Sequence, residues 1–502
     1  MRDAKALPER PQQDYSCWFL IAILALAAVL RFQQLGAIPH GLHPDEAMDG
    51  SSALEVLETG RPQLFYSENN GREGLYVNLA AVSIELFGNS EFALRLPAAL
   101  FGLATVWGAY CLAAELWSAP IGLLSAFFLA TSFWHLNFSR LGLRVIAAPA
   151  FLVWALYLLV LGLRRAAAGK PSANLLVLAG VLYGLGFHTY IAYRVTPVLV
   201  AGFLVWLWFQ ARPSRNWPRF WKPAVLFAAA AALVAAPLFL YFAAHPGTLS
   251  GRASQVAVHS AGEVLSNTWK TALMFFAGDP NWRHNYDGQG ELFWPVAILF
   301  VLGIGLAIRS RSIPGLLALL WIALGALPTI FSDSAPHALR ALPMIPAVCV
   351  VAALGAEWSY AFLKRTFGAR PALAVAAIFF VIAVWQPYHT YFDLWARNPN
   401  VPRNFTANLV DAAHQVRSLG GPTYIAATYT GDTAKGIPVL LLPFVYLTGS
   451  YTASQQAATN IHYLTPDNFQ PPAGVQGKTF CDQAKAALPQ ARVICVNLRS
   501  GQ

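Results

Sequence analysis

The sequence predicts an α-helical polytopic membrane protein of about eleven spans, followed by a small C-terminal α/β domain outside the membrane. Three observations carry that fold class. Of 502 residues, 56% are hydrophobic and only 12% are charged, whereas a soluble domain is typically about a quarter charged. Apolar runs close to the roughly 20 residues that a helix needs to cross a bilayer recur along most of the chain. After Tyr391 these runs stop, and short strand-like and helix-like segments alternate instead.

The spans are expected at 18–35, 92–117, 121–138, 145–163, 174–191, 195–209, 224–244, 292–308, 313–331, 341–363 and 371–391. Several are short, so their ends should run into flanking polar residues. The first run leads to no small-x-small cleavage site and is expected to stay as an anchor. The stretch 74–87 is apolar but short and interrupted, and reads as a helix lying along or dipping into the outer interface. With the N-terminus inside, the cytoplasmic segments hold 15 bases, from Arg2, Lys5 and Arg10 through Arg164, Arg212 and Arg309 to Arg370, against three acids, Asp3, Glu9 and Asp14. That asymmetry sets the expected orientation, with the C-terminus outside. It also accounts for nearly all of the net charge of +10. The bases are dispersed among loops, which argues against a nucleic-acid partner.

Residues 1–391 therefore read as a membrane domain with an outer loop at 36–91, and 392–502 as a soluble extracytoplasmic α/β domain. In the latter, 408–419 has helical periodicity, 422–430 and 492–497 resemble buried strands, and 437–447 is strongly apolar. Cys481 and Cys495 both fall there, either as a disulfide or as two buried thiols. Cys17, Cys111 and Cys349 lie in or beside spans. No Cys-x-x-Cys, His-Glu-x-x-His or Asp-x-Asp occurs, so no metal and no cofactor are expected.

The chemistry-bearing feature is His43-Pro44-Asp45-Glu46, in an acidic loop just past the first span that also carries Asp49, Glu55, Glu58, Glu68 and Glu73. One carboxylate at the mouth of a bilayer cavity, with a second beside it, suits general-base chemistry on a membrane-embedded substrate. A plain solvated loop is the alternative. Arg72, Arg95, Arg140, Arg144, Arg194 and Arg340 map to the same outer level, with His188, His337, Tyr183, Tyr190 and Tyr193 near them. Guanidiniums facing Asp45 and Glu46 are what a lipid phosphate needs, since arginine grips phosphate oxygens in a fork. Each arginine could instead snorkel to headgroups or pair with a nearby acid.

These residues carry a resemblance to the GT-C superfamily of integral-membrane glycosyltransferases, of the family 39 type that includes protein O-mannosyltransferases and aminoarabinose transferases. Pro44-Asp45-Glu46 is similar to the family's first-loop motif and implies Asp45 as the catalytic aspartate. Gly71-Arg72-Glu73-Gly74-Leu75-Tyr76 stands where the family has a base followed by prolines and an aromatic, and implies Arg72 as the donor-phosphate contact. Arg95-Leu96-Pro97-Ala98 resembles the entry to the second span, and Pro336-His337-Ala338-Leu339-Arg340 a later outer-loop arginine. The chain departs from the pattern at Glu73-Gly74, where the prolines are missing, and in Arg140-Leu-Gly-Leu-Arg144, which lacks an acid.

The resemblance implies an inverting transfer of a hexosyl or pentosyl group from a polyprenyl-phosphate sugar to an acceptor hydroxyl on protein, lipid or glycan. Sidedness supports it independently: sugar nucleotides are cytoplasmic, whereas this acidic site opens outward. Asp45 is the expected base and Glu46 its neighbour, orienting the loop through an arginine such as Arg95. Arg72, with Arg340 or Arg194, is expected to hold the departing phosphate. Arg95, His43, His337, Tyr190, Tyr193, Arg140 and Arg144 are expected to shape the cavity. The expected place is the inner or plasma membrane. The competing class is a polyprenyl-lipid flippase or transporter, which usually places ionisable groups near the midplane and breaks helices in paired halves; a non-catalytic scaffold is a third.

Overall fold

The computed structural model describes residues 13–498 apart from 70, 212–216, 250, 252–253, 255–256, 259, 420, 430 and 471–478. The expected cytoplasmic bases Arg2, Lys5, Arg10, Arg212 and Arg215 lie outside the described residues. The membrane part is a helical bundle. It runs through α1 (Gln13–Phe32), α2 (Pro44–Thr59), α3 (Leu75–Phe87), α4 (Glu91–Leu116), α5 (Ala119–Ala130), α6 (Phe133–Phe138), α7 (Ala147–Ala167), α8 (Ala173–Gly186), α9 (Thr196–Ala211), α10 (Trp217–Ala244), α11 (Ala261–Ala277), α12 (Trp294–Ser310), α13 (Ile313–Ile330), α14 (Ile345–Phe367) and α15 (Ala369–Tyr388). A two-stranded antiparallel ribbon of β1 (Phe65–Tyr66) and β2 (Arg72–Glu73) joins α2 to α3.

Among the described residues, seven helical stretches are long and apolar enough to cross a membrane; α1, α5, α8 and α12 are shorter apolar helices. The protein is thus a multi-pass membrane protein, with a helix at each expected span. One span is not continuous. The stretch 121–138 breaks at Thr131-Ser132, where Ser132 caps α6 by accepting from the His135 N–H at 3.3 Å. At 1.5 Å per residue, the 12 residues of α5 reach about 18 Å, short of a ~30 Å hydrocarbon core. Likewise α8 stops at Gly186, so Tyr190 lies beyond the helix and not in a span. The short helix expected at 74–87 is α3, whose Leu79, Val82, Leu86 and Phe87 are exposed. The amphipathic α11 was not expected from the sequence.

Small residues let the helices approach closely. Gly303 of α12 and Gly355 of α14 face each other's helix so tightly that a Cβ at either would strike a carbonyl oxygen, that of Val351 or of Leu299. Gly180 and Gly184 of α8 meet the Phe227 and Ala231 carbonyls of α10 in the same way. Close backbone approach of this kind holds bundles together where lipid removes the hydrophobic drive.

The C-terminal unit begins with α16 (Ala407–Arg417). It then alternates β3 (Thr423–Tyr429), the ribbon β4 (Thr433–Ala434) and β5 (Ile437–Pro438), α17 (Leu442–Thr448), α18 (Ala453–Thr459), β6 (Ile461–Leu464), α19 (Phe480–Ala487) and β7 (Arg492–Leu498). The strand order is β6-β3-β7, all parallel, with Thr423 opposite Ile461 and Arg492. The apolar 437–447 is β5 and the fully buried α17. Cys481 of α19 and Cys495 of β7 are joined by a disulfide. The unit packs on α2 and on the turn before α4: Lys435 pairs with Glu55 at 2.6 Å, and Asn89 donates to the Tyr446 carbonyl at 2.7 Å.

Gly303→Ala and Gly355→Ala should lower the unfolding temperature in detergent, because overpacking a close-fitted contact costs about 1–3 kcal/mol. Gly305→Ala, where a Cβ meets nothing within 4 Å, should leave it unchanged or raise it slightly. A melt in which all three behave alike would remove the close-crossing argument.

Candidate functional site

The motif at 43–46 is a helix start and not an open loop. Pro44 opens α2 at its first position, where a missing N–H costs nothing. The His43 Nδ1 accepts from the Asp45 N–H at 3.0 Å, and Glu46 Oε2 accepts from the His43 N–H at 3.3 Å. Asp45 and Glu46 therefore sit in the first turn, at the positive end of the α2 dipole. Burial first, and then the charge of Arg283, push the His43 imidazole down to about 3. It is neutral at physiological pH, as its acceptor role requires.

The two carboxylates differ completely. Glu46 is fully buried, and its Oε1 takes the Arg95 Nε at 2.8 Å. The rest of that guanidinium donates to the carbonyls of Leu35, Pro39 and Gly41 at 3.3, 3.1 and 2.5 Å. Glu46 has no face left for a substrate, so it positions the helix start. Asp45 is half-buried at the edge of the same turn, and Asn69 Nδ2 donates to its Oδ1 at 2.8 Å. Its charge reaches Asp49, Arg144 and Arg283. Burial lowers the Arg283 guanidinium against the pull of Asp45, and its Nε donates to the Asn404 carbonyl at 3.0 Å.

The arginines fall into two groups. Arg72 does not pair with Glu73: it is wholly buried, with NH1 on Asp49 at 2.6 Å and NH2 on Ser52 at 2.9 Å. Strand pairing explains why. Arg72 and Glu73 are neighbours in β2, so their side chains leave opposite faces of the ribbon. Burial lifts the Asp49 carboxyl above its ordinary range while Arg72 pulls it back. Arg140 is buried too and donates to the carbonyls of Leu30, Arg31, Gln34 and Ile38, at 2.9, 2.9, 3.3 and 3.1 Å. Arg72, Arg95 and Arg140 thus serve the fold and do not form an open ring.

The second group converges on one carboxylate. Glu73 takes Arg194 NH2 on one oxygen at 3.0 Å and Arg144 Nε on the other at 3.4 Å. Arg144 lies over the Tyr190 ring at 5.7 Å, and Arg194 over Phe242 at 4.8 Å. Two guanidiniums on one carboxylate leave a surplus positive charge beside Asp45. The other expected site residues are elsewhere. Tyr193 is buried among Tyr183 and Phe187. Arg340 bonds Ser332 and lies 3.7 Å from Asp333. His337 lies against His284 with its ring tilted, centroids 4.7 Å apart. Sequence reasoning missed Asn69, Arg283 and His284, and placed Asp49 in the acidic loop without its partner Arg72. Asn69-Asn70-Gly71 is a readable turn signal, but nothing local marks a residue more than 200 positions away as a neighbour of Asp45.

Truncating the orienting acid should be costly. Glu46→Ala leaves Arg95 buried without its counter-charge, which typically costs about 3–5 kcal/mol. The unfolding temperature in detergent should fall well below the parent's, and a melt within a degree of it would remove the anchoring role.

Residues 75–242 match the family model for dolichyl-phosphate-mannose-protein mannosyltransferase. No curated protein matches the chain in sequence. Among solved structures, the chain resembles ArnT from Cupriavidus metallidurans bound to undecaprenyl phosphate, with TM-score 0.60 and 16% identity over 96% of this chain and 90% of that one. The apo form of ArnT gives TM-score 0.58 and 17% identity over 86% and 85%. The oligosaccharyltransferase of Archaeoglobus fulgidus, tethered to an acceptor peptide, gives TM-score 0.52 and 13% identity over 91% of this chain and 64% of that one. The chain shares the fold of these solved membrane proteins, and its match to the mannosyltransferase model spans α3 to α10.

Proposed function

We propose that this protein is an inverting glycosyltransferase that moves a sugar from a polyprenyl-phosphate donor to an acceptor hydroxyl on the extracytoplasmic face. The observation that carries the reading is a half-buried Asp45 whose charge is felt by Arg144, one of two guanidiniums, with Arg194, that share the Glu73 carboxylate. Asp45 takes the proton from the acceptor hydroxyl, and the freed oxygen pair attacks the anomeric carbon. The bond from that carbon to the phosphate oxygen breaks through an oxocarbenium-like state, and its electrons leave on the polyprenyl phosphate. Arg144 and Arg194 receive that charge in the position Glu73 now holds. A single in-line base gives inversion. Asn69 orients the Asp45 oxygen, and His43, neutral, holds the turn without competing for the proton. ArnT of Cupriavidus metallidurans, which shares the fold, holds undecaprenyl phosphate, which supports a polyprenyl carrier here.

Arg72, the base first expected on the phosphate, would have to break a buried pair with Asp49 to reach a donor. In this reading it holds β2 in place, so that Glu73 faces Arg144 and Arg194.

In proteoliposomes supplied with a radiolabelled polyprenyl-phosphate sugar, Asp45→Asn should insert and fold but transfer about 100- to 10,000-fold more slowly. Activity within a few-fold of the parent sinks the base assignment, and translocation of the donor without transfer would favour a flippase. Arg194→Ala should weaken donor binding by about 2–5 kcal/mol, whereas Glu73→Gln should be mild or should tighten it by freeing both guanidiniums. Equal donor affinities across the parent and these variants would place the phosphate elsewhere.

Sidedness has its own test. In a Cys17→Ser background, cysteines at the exposed positions Ser67 and Asn281 should react with a membrane-impermeant thiol reagent on intact cells, and one at Ala168 should not. Labelling at Ala168 alone would put the site on the nucleotide side of the membrane.

A further inference from the structure

We infer that Asp279, His284 and His337 form a binding site for one divalent transition-metal ion of the zinc type. The ion would pin the loop between α11 and α12 to the loop between α13 and α14. The ligand atoms of the three residues all lie within 4.8 Å of one another, and Asp279 and His284 are buried. Two imidazoles and a carboxylate suit zinc and its neighbours in the series, while magnesium and calcium prefer oxygen alone. Three protein ligands leave a fourth position for water, as open zinc sites do.

The ligands are held in place by contacts that do not need the ion. Asp279 Oδ1 accepts from the Asn281 N–H at 2.9 Å, and Oδ2 from the Ala338 N–H at 2.8 Å, so one carboxylate already bridges the two loops. Asn137 Nδ2 donates to the carbonyls of Arg283 and His284, both at 3.0 Å, and Trp395 donates to the Trp282 carbonyl at 3.0 Å. A chain turn fixed on both sides of His284 loses little freedom when an ion arrives, which is what preorganised sites require. A second buried acid sits behind the cluster. Glu291 Oε1 accepts from the Asp279 N–H at 3.0 Å, and its Oε2 is buried without a hydrogen-bond partner.

His284 Nδ1 and Asp279 Oδ2 are 2.7 Å apart, bridged by a hydrogen-bonded proton. A tetrahedral ion with ~2.0 Å bonds needs its ligand atoms about 3.3 Å apart. The two must therefore part by roughly half an ångström, with the proton released to solvent as the ion takes its place. The competing account is a hydrogen-bonded His–Asp staple with His337 packed beside it, and no ion.

The test uses full-length, untagged protein in detergent, stripped with chelator and titrated with Zn²⁺ against a chromophoric competitor. The parent should hold one zinc per chain and unfold at a higher temperature with zinc than without. His284→Ala and His337→Ala should bind at least about tenfold more weakly and show no zinc-dependent shift in melting, while His462→Ala, in the C-terminal unit, should match the parent. Co²⁺ added to the parent should give the intense visible bands of a four-coordinate ion with nitrogen ligands, a readout that stands even where a variant fails to fold. No stoichiometric zinc on the parent, a Co²⁺ spectrum like that of the aqueous ion, or variants that bind like the parent would each overturn the assignment. None of these readouts requires sugar transfer, so failure of the metal site and failure of the transferase reading are separable.

Discussion

The Arg95–Glu46 ion pair is the constraint on which the placement of the acidic site depends. It joins the first turn of α4 to the first turn of α2 at 2.8 Å, with both side chains out of solvent. Four of the five N–H directions of Arg95 are used, and both oxygens of Glu46 accept, one from Arg95 and one from the His43 N–H. Such completeness matters, because burying two charges costs several kcal/mol each and only full satisfaction offsets it. The pair also draws in the loop after α1 through the carbonyls of Leu35, Pro39 and Gly41. Arg140 completes the work, taking the carbonyls of Leu30 and Arg31 that the end of α1 leaves without helical partners. Helix ends near hydrocarbon need such donors, since no water is at hand to supply them.

With Glu46 consumed by structure, Asp45 is the carboxylate left at the edge. Adjacent residues on a helix point about 100° apart, so one turn can bury its third residue and leave its second half-exposed. The same division appears in β2, where strand alternation sends Arg72 inward to Asp49 and Glu73 toward Arg144 and Arg194. Each short element thus supplies one buried ionic anchor and one carboxylate that meets another partner, Asn69 for Asp45 and the two arginines for Glu73. This economy explains why a chain with only 24 acidic residues spends so many of them between Asp45 and Glu73.

Much of this was legible in the sequence, where hydropathy and charge speak directly. Apolar length gave the spans, and the change after Tyr391 gave the C-terminal unit with its helix near 408–419 and strands at β3 and β7. The pairing of Glu46 with an arginine such as Arg95 was also open to reading. The start of α2 was misread as a loop although Pro44 and Glu46 are helix-entry signals; Gly50-Ser51-Ser52, weak helix formers, obscured the continuation. The break at Thr131-Ser132 was hidden because apolar content counts residues and not hydrogen bonds. The partner of Arg72 and the cluster of Asp279, His284 and His337 were out of reach in principle. They depend on strand face and on contacts between distant loops, which a local pattern does not encode.

The C-terminal unit completes the argument about placement. The segment leading into it and the unit itself hold α2 at both ends: Leu42 N–H donates to the Phe405 carbonyl at 2.7 Å just before the helix, while Lys435 pairs with Glu55 and Thr452 donates to Glu58 near its last turn. Between them, Tyr446 packs so closely on Gly50 that a Cβ there would strike its ring. Gly41, in a backbone conformation with φ of 100°, lets the chain pass directly under Phe405, where a side chain would collide with the Phe405 carbonyl. A helix of 16 residues bearing several acids has little reason to hold its place at an interface by itself. Clamped by Arg95 at its start and backed along its length by the C-terminal unit, α2 holds Asp45 in one place.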